Sequence, residues 1–141
     1  MRIQIQVTIA VGTLLLAACG APQPQAVTLT AETMVYEPST FEVTAGAPVE
    51  LTLINEDALE HDFSVLEIPV ESVSEADPVS AEHAMHMEDS GVDPRLHVAT
   101  EPGATNFLTF TPTKPGTYEF FCTVPGHKEA GMVGTMVVKA P

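Results

Sequence analysis

Basic residues and cysteine are scarce in this sequence. Five Lys and Arg stand against 19 Asp and Glu, which gives a formal net charge of −14, and there are two cysteines. Nucleic acid is not an expected partner, because phosphate binding depends on Lys and Arg. The acidic balance instead suits a protein partner that carries a basic patch, since complementary charge speeds the encounter. With 141 residues, the chain is expected to form one domain. We also expect a monomer.

A long apolar run, interrupted by a few polar residues, spans residues 3–18 and ends in Leu-Ala-Ala-Cys19. Its length and the small residues at its end predict a secretory signal and not a spanning helix. The ending resembles the bacterial lipobox, which implies cleavage before Cys19 and lipidation of its thiol; the alternative is an ordinary signal with an incidental cysteine. We therefore predict a signal peptide over residues 1–18, the lipidated Cys19 with a tether over 19–26, and a folded domain over 27–141. This protein would lie outside the cytoplasm, anchored to a bacterial membrane on the periplasmic side or at the cell surface.

The remainder of the chain shows short apolar segments that are separated by Pro and Gly, and no long helical pattern. Seven of these segments are predicted strands: residues 27–31, 41–44, 49–54, 61–68, 105–111, 117–124 and 134–139. Strands of this number and length predict an all-β fold, a Greek-key β-sandwich. The acidic stretch from about 69 to 98 breaks the pattern and is predicted to be a long loop insertion, with one or two helical turns near residues 80–87.

The segment FFCTVPGHKEAGMVG, residues 120–134, carries Cys122, His127 and Met132. Thiolate, imidazole and thioether together suit copper in both of its common oxidation states. With Cys19 lipidated, Cys122 has no disulfide partner, and a free thiol outside the cytoplasm is expected to be oxidised unless it is buried or bound to a metal. A copper site also needs a ligand from elsewhere in the fold, and His61, at the start of a predicted strand, is the candidate.

Three other interpretations of this segment remain open. Cys122 could be a nucleophile with His127 as its base, but the sequence shows no orienting group or oxyanion hole. A structural zinc site is disfavoured because Met is a poor zinc ligand. Cys122 could also be a buried thiol beside an unrelated His and Met. A multicopper enzyme is not expected, because the sequence contains no His-x-His pair, and no enzymatic activity is predicted.

The Cys-x4-His-x4-Met spacing resembles that of the blue copper proteins, the cupredoxins, in their auracyanin and rusticyanin branch. The resemblance covers most of residues 27–139 and implies a cupredoxin-type sandwich or barrel with one type 1 copper. It implies that His61, Cys122 and His127 form a trigonal plane and that Met132 is a weak axial ligand. In this family Asn usually follows the first His; here the residue is Asp62, which we expect to brace the loop by accepting a hydrogen bond from Thr123.

The function implied is one-electron transfer between extracytoplasmic redox partners, such as a cytochrome or an oxidase domain with a basic patch. A second group of candidate ligands, His83, Met85, His86 and Met87, lies in the acidic stretch. This group is either a solvated or partner-facing loop or a weak second metal site. The second interpretation would favour an alternative function, a copper chaperone or storage lipoprotein that uses an exposed Met/His site.

Overall fold

The computed structural model describes residues 22–75 and 93–141. Ten strands lie in these two ranges and no helix, which confirms the all-β prediction. The strands are β1 (Gln25–Glu32), β2 (Val35–Glu37), β3 (Thr40–Thr44), β4 (Val49–Asn55), β5 (His61–Val65), β6 (Val70–Glu75), β7 (Leu96–Thr100), β8 (Thr105–Pro112), β9 (Gly116–Phe121) and β10 (Val133–Lys139). No helix long and apolar enough to cross a membrane occurs within the described ranges.

The strands form two five-stranded sheets, with the orders β2-β1-β4-β8-β6 and β3-β10-β9-β5-β7. Two neighbouring pairs, β1 with β4 and β3 with β10, are parallel, and the other paired strands are antiparallel. Strands β4 and β8 alternate buried with less buried residues, as expected where one face of a sheet packs on a core. By contrast, every residue of β5 and β7 is buried, so these two strands of the second sheet hold their polar residues away from water.

The core contains a cluster of aromatic rings beneath the loop that carries Cys122. Phe120 lies 5.1 Å from Phe63 and 5.5 Å from Phe41, measured between ring centroids. Tyr36 meets Phe120 edge to face at 5.1 Å, and its hydroxyl donates a hydrogen bond to the carbonyl of Asp62. Such rings bury large apolar areas and pack in defined geometries, so the strands that carry the candidate ligands rest on a rigid base.

The predicted strands are confirmed, but the predicted insertion at about 69–98 is too long. Strand β6 lies at its beginning, and most of β7 lies at its end. Five of the six residues of β6 are exposed, and the strand is held at the edge of a sheet by pairing with β8, so its side chains give little sign of a strand. In β7 the polar His97 is buried with its apolar neighbours, which hides the strand from a pattern of alternation.

Other boundaries also differ from the prediction, since β5 ends at Val65 and β9 at Phe121, each three residues before the predicted end. Strand β1 begins at Gln25, inside the segment predicted to be a tether, because the Gln25 side chain hydrogen-bonds the backbone N–H and carbonyl of Thr44. The short strand β2 was not predicted at all. The signal peptide, Cys19, the helical turns near residues 80–87 and the group at His83, Met85, His86 and Met87 all lie outside the described residues.

Candidate metal centre

Strand pairing brings together three of the four predicted copper ligands. His61 is the first residue of β5, Cys122 directly follows β9, and these strands are neighbours through the pairing of Ser64 with Phe121. His127 lies on the loop between β9 and β10. One ligand atom from each of His61, Cys122 and His127 lies within 4.8 Å of the others, and all three residues are buried.

The loop between β9 and β10 is folded back on itself by glycines and backbone hydrogen bonds. Gly126 and Gly131 have φ values of +88° and +103°, in the left-handed region that other residues rarely enter. The Met132 N–H donates to the His127 carbonyl at 3.0 Å, and the Met132 carbonyl accepts from the Cys122 N–H at 3.2 Å. Met132 is fully buried at the base of this loop. Its role as axial ligand stays a prediction.

The donor atoms fit a metal ion. His61 Nδ1 is buried and has no hydrogen-bond partner within the described part of the chain, and an unsatisfied buried polar atom is costly. The imidazole rings of His61 and His127 have centroids 5.0 Å apart, and His127 Nδ1 lies 3.4 Å from Cys122 Sγ. A metal ion between them would supply the missing partner, and one thiolate with two imidazoles is a set that suits copper.

The surroundings keep Cys122 and His127 uncharged at neutral pH. Burial, together with the charge of Asp62, raises the pKa of Cys122 from 9.0 to about 12. Burial lowers the pKa of His127, and repulsion from His61 lowers it further. His127 is therefore a neutral imidazole at neutral pH, ready to bind, whereas Cys122 must lose a proton when it binds a metal.

The predicted brace from Asp62 to Thr123 is present. The Thr123 hydroxyl donates to Asp62 Oδ2 at 2.7 Å, and the Thr123 N–H lies 3.0 Å from both carboxylate oxygens. Asp62 is 1% exposed, and its own N–H points to Cys122 Sγ at 3.5 Å. The carboxylate therefore fixes the first residue after Cys122 and lies beside the sulfur, away from solvent.

Behind Asp62 lies a polar pair that sequence analysis did not identify. Ser64 Oγ lies 2.8 Å from Asp62 Oδ1 and 2.9 Å from His97 Nδ1. An ionised carboxylate only accepts, so the Ser64 hydroxyl donates to Asp62 and accepts from the His97 Nδ1–H. Asp62 and Ser64 share a face of β5 by their spacing of two, and His97 pairs with Ser64 across the strands. The spacing was visible in the sequence, but the register of β7 was not.

Asp57 is a third residue that sequence analysis missed. It lies on the turn before β5, and its Oδ2 is 3.2 Å from His61 Nε2. Its position four residues before a candidate ligand was a signal, but only the structure shows that the turn directs the carboxylate at the ring.

Comparisons with known proteins agree with this geometry. Residues 24–139 match the family model described as copper binding proteins, plastocyanin/azurin family. The Copper-resistant cuproprotein CopI of Rubrivivax gelatinosus is 35% identical over 108 residues, which are 77% of this chain and 62% of that protein. Rusticyanin of Acidithiobacillus ferrooxidans is 33% identical over 105 residues, which are 71% of this chain and 50% of that protein. The chain therefore spans between half and two thirds of the length of these two relatives.

Among solved structures, the reduced auracyanin of the photosynthetic bacterium Roseiflexus castenholzii matches with a TM-score of 0.59 at 24% identity, over 81% of this chain and 96% of that chain. At this level of identity the match supports the fold. It agrees with the two-sheet arrangement of the described strands, whereas the family match over residues 24–139 confirms the resemblance to blue copper proteins that the loop motif indicated.

Proposed function

Because this chain belongs to the plastocyanin/azurin family of copper-binding proteins, we propose that it is a one-electron carrier whose copper is held by His61, Cys122, His127 and Met132. When bound, copper supplies the chemistry by alternating between Cu(I) and Cu(II). The observation that carries the proposal is the convergence of three buried ligand atoms within 4.8 Å. His61 lies on β5, and Cys122 and His127 lie on the hydrogen-bonded loop between β9 and β10, so the fold itself fixes the positions of these ligands.

The protein's own residues favour fast electron transfer through a protected site. A fixed frame resists rearrangement when the charge at the centre changes, which keeps the reorganisation cost small. His61 and Met132 are 0% exposed and Cys122 is 1% exposed, whereas His127 is 7% exposed. Water is thus largely excluded, and His127 is the ligand through which a docked partner would approach most closely. Redox partners commonly dock through small, weak interfaces, and the surface around His127 is where we expect such an interface.

We also propose where this protein is located and what kind of partner it has. The Leu-Ala-Ala-Cys19 ending supports a lipid anchor that keeps the domain at a membrane outside the cytoplasm. The net charge of −14 supports a redox partner with a basic docking patch, such as a cytochrome or an oxidase domain. The proposed role is electron carriage by a monomer, without catalysis.

The test is the visible and electron-paramagnetic spectrum of the purified protein after addition of one equivalent of Cu(II). An intense thiolate-to-copper band with compressed hyperfine splitting is expected, and Cys122→Ser should abolish the band. Replacement of Met85, His86 and Met87 together by Ala is the matched control, because it removes other candidate ligands and should leave the band intact. A pale spectrum typical of surface histidines would contradict the proposal.

A second function has support from one comparison. Two relatives, at 35% and 28% identity, are named Copper-resistant cuproprotein CopI, so a role in copper tolerance, by chaperoning or storage, is the alternative. The two functions predict different stoichiometries. One tightly held copper per chain supports the carrier, whereas additional exchangeable copper that disappears on replacing residues 85–87 supports the alternative.

A further inference from the structure

His61 is oriented by a carboxylate on the turn that precedes it. Its Nε2 lies 3.2 Å from Asp57 Oδ2, whereas its Nδ1 has no hydrogen-bond partner among the described residues. A carboxylate accepts hydrogen bonds, so in a neutral His61 ring Nε2 carries the proton and Nδ1 keeps a lone pair. The contact selects the tautomer in which the unpartnered nitrogen is able to bind a metal.

Asp57 is itself held in place by two turns. The Thr33 N–H donates to Oδ2 at 2.9 Å and the Ala58 N–H donates to Oδ1 at 2.6 Å. Thr33 adopts a φ of +51°, which is rare for a β-branched residue, in the turn that joins β1 to β2. The Asp57 N–H donates to Asn55 Oδ1 at 2.9 Å. The carboxylate is therefore fixed from both sides and does not depend on His61 for its position.

The arrangement has the form of a carboxylate–histidine–metal relay. We propose that Asp57 is a positioning residue for the copper centre, which holds His61 in the metal-binding tautomer and places a negative charge behind its ring. This inference rests on the proposed role of His61 as a copper ligand. A carboxylate that accepts the ring N–H makes the other nitrogen a stronger donor. The charge favours the oxidised centre over the reduced one, so it raises Cu(II) affinity and lowers the reduction potential.

The experiment compares Asp57→Ala and Asp57→Asn with Glu56→Gln. Glu56 is the exposed neighbour of Asp57, so its replacement removes one negative charge from the same turn without removing the contact to His61. Asp57→Ala should weaken Cu(II) binding by about 10- to 100-fold in competition with a chelator and raise the reduction potential. Asp57→Asn keeps an acceptor oxygen and should fall between Asp57→Ala and the wild type, whereas Glu56→Gln should match the wild type.

A measurement on the copper-free protein separates this inference from the proposed function. In ¹⁵N NMR spectra, the His61 ring of the wild type should show the Nε2–H tautomer, and Asp57→Ala should shift it toward a mixture. A carboxylate that only stabilises the turn would leave the tautomer unchanged. The tautomer result stands even if the wild type shows no blue copper spectrum.

Three results would overturn the inference. The first is an unchanged His61 tautomer in Asp57→Ala. The second is wild-type affinity and potential in both Asp57 variants. The third is an equal change in Glu56→Gln, which would assign the effect to general surface charge. If Asp57→Ala does not fold, Asp57→Asn decides, since a loss of Cu(II) affinity relative to Glu56→Gln supports the inference and equal affinity refutes it.

Discussion

Two aspartates flank His61 in the sequence, and they serve the metal centre in different ways. Asp62 is 1% exposed and accepts hydrogen bonds from Thr123 and Ser64 inside the sheet. The Asp57 side chain is 20% exposed and accepts from backbone N–H groups of two turns and from His61 itself. Water can replace lost contacts at Asp57 but not at Asp62. Substitutions of Asp62 should therefore lower the free energy of unfolding and disturb the loop that begins at Cys122. Substitutions of Asp57 should instead change the Cu(II) affinity and the reduction potential.

The largest contrast is expected in the reactivity of the Cys122 thiol in copper-free protein. A pKa raised from 9.0 to about 12 lowers the thiolate fraction at pH 8 by roughly 100- to 1000-fold. Because the charge of Asp62 contributes to this shift, Asp62→Asn should speed alkylation by iodoacetamide about tenfold for each unit of pKa that it restores. Asp57→Asn should leave the rate unchanged. The rates are measured by mass spectrometry in a Cys19→Ala background, which leaves Cys122 as the single thiol.

The same shift fixes how the stability of copper-free protein depends on pH. The folded thiol keeps its proton up to about pH 12, whereas the unfolded thiol loses it near 9.0. The folded state therefore binds more protons within this window, and stability should fall as pH rises above about 9. In the alkylation experiment described above, equal rates for Asp62→Asn and the wild type would contradict the contribution of the Asp62 charge to the raised pKa of Cys122.

The next contrast is in the free energy of unfolding. Asp62→Ala removes the carboxylate acceptor from the partly buried N–H and hydroxyl of Thr123 and from the buried hydroxyl of Ser64, at a cost of about 2–4 kcal/mol. Asp62→Asn keeps one acceptor oxygen and should lose about half as much. Asp57→Ala should leave the urea midpoint near that of the wild type, because water reaches this turn. Equal shifts of the urea midpoint in Asp62→Ala and Asp57→Ala, measured on the copper-free protein, would contradict this prediction.

How much of this structure can be predicted from the sequence depends on whether the residues involved are close together in the chain. Cys122, His127 and Met132 lie on one contiguous loop, so their spacing alone indicated a copper site, and Asp62 was found because it adjoins His61. The all-β fold followed from short strands with regular turns. Strand β6 and the roles of Asp57, Ser64 and His97 depend on tertiary register. Pairing with β8 makes an exposed segment a strand, and the pairing of β5 with β7 brings His97 to Ser64.

The smallest effect concerns the pair behind Asp62. Ser64→Ala and His97→Phe each remove one end of the 2.9 Å hydrogen bond and should each cost about 1 kcal/mol of unfolding free energy. His97 has other contacts, so a single variant does not isolate this bond, but a double-mutant cycle cancels them. A coupling energy of about 1 kcal/mol is expected, with the blue band little changed because Thr123 still contacts Asp62. A coupling energy within about 0.3 kcal/mol of zero would show that Ser64 holds Asp62 without help from His97. The hydrogen bonds that fix Asp62 would then not depend on β7.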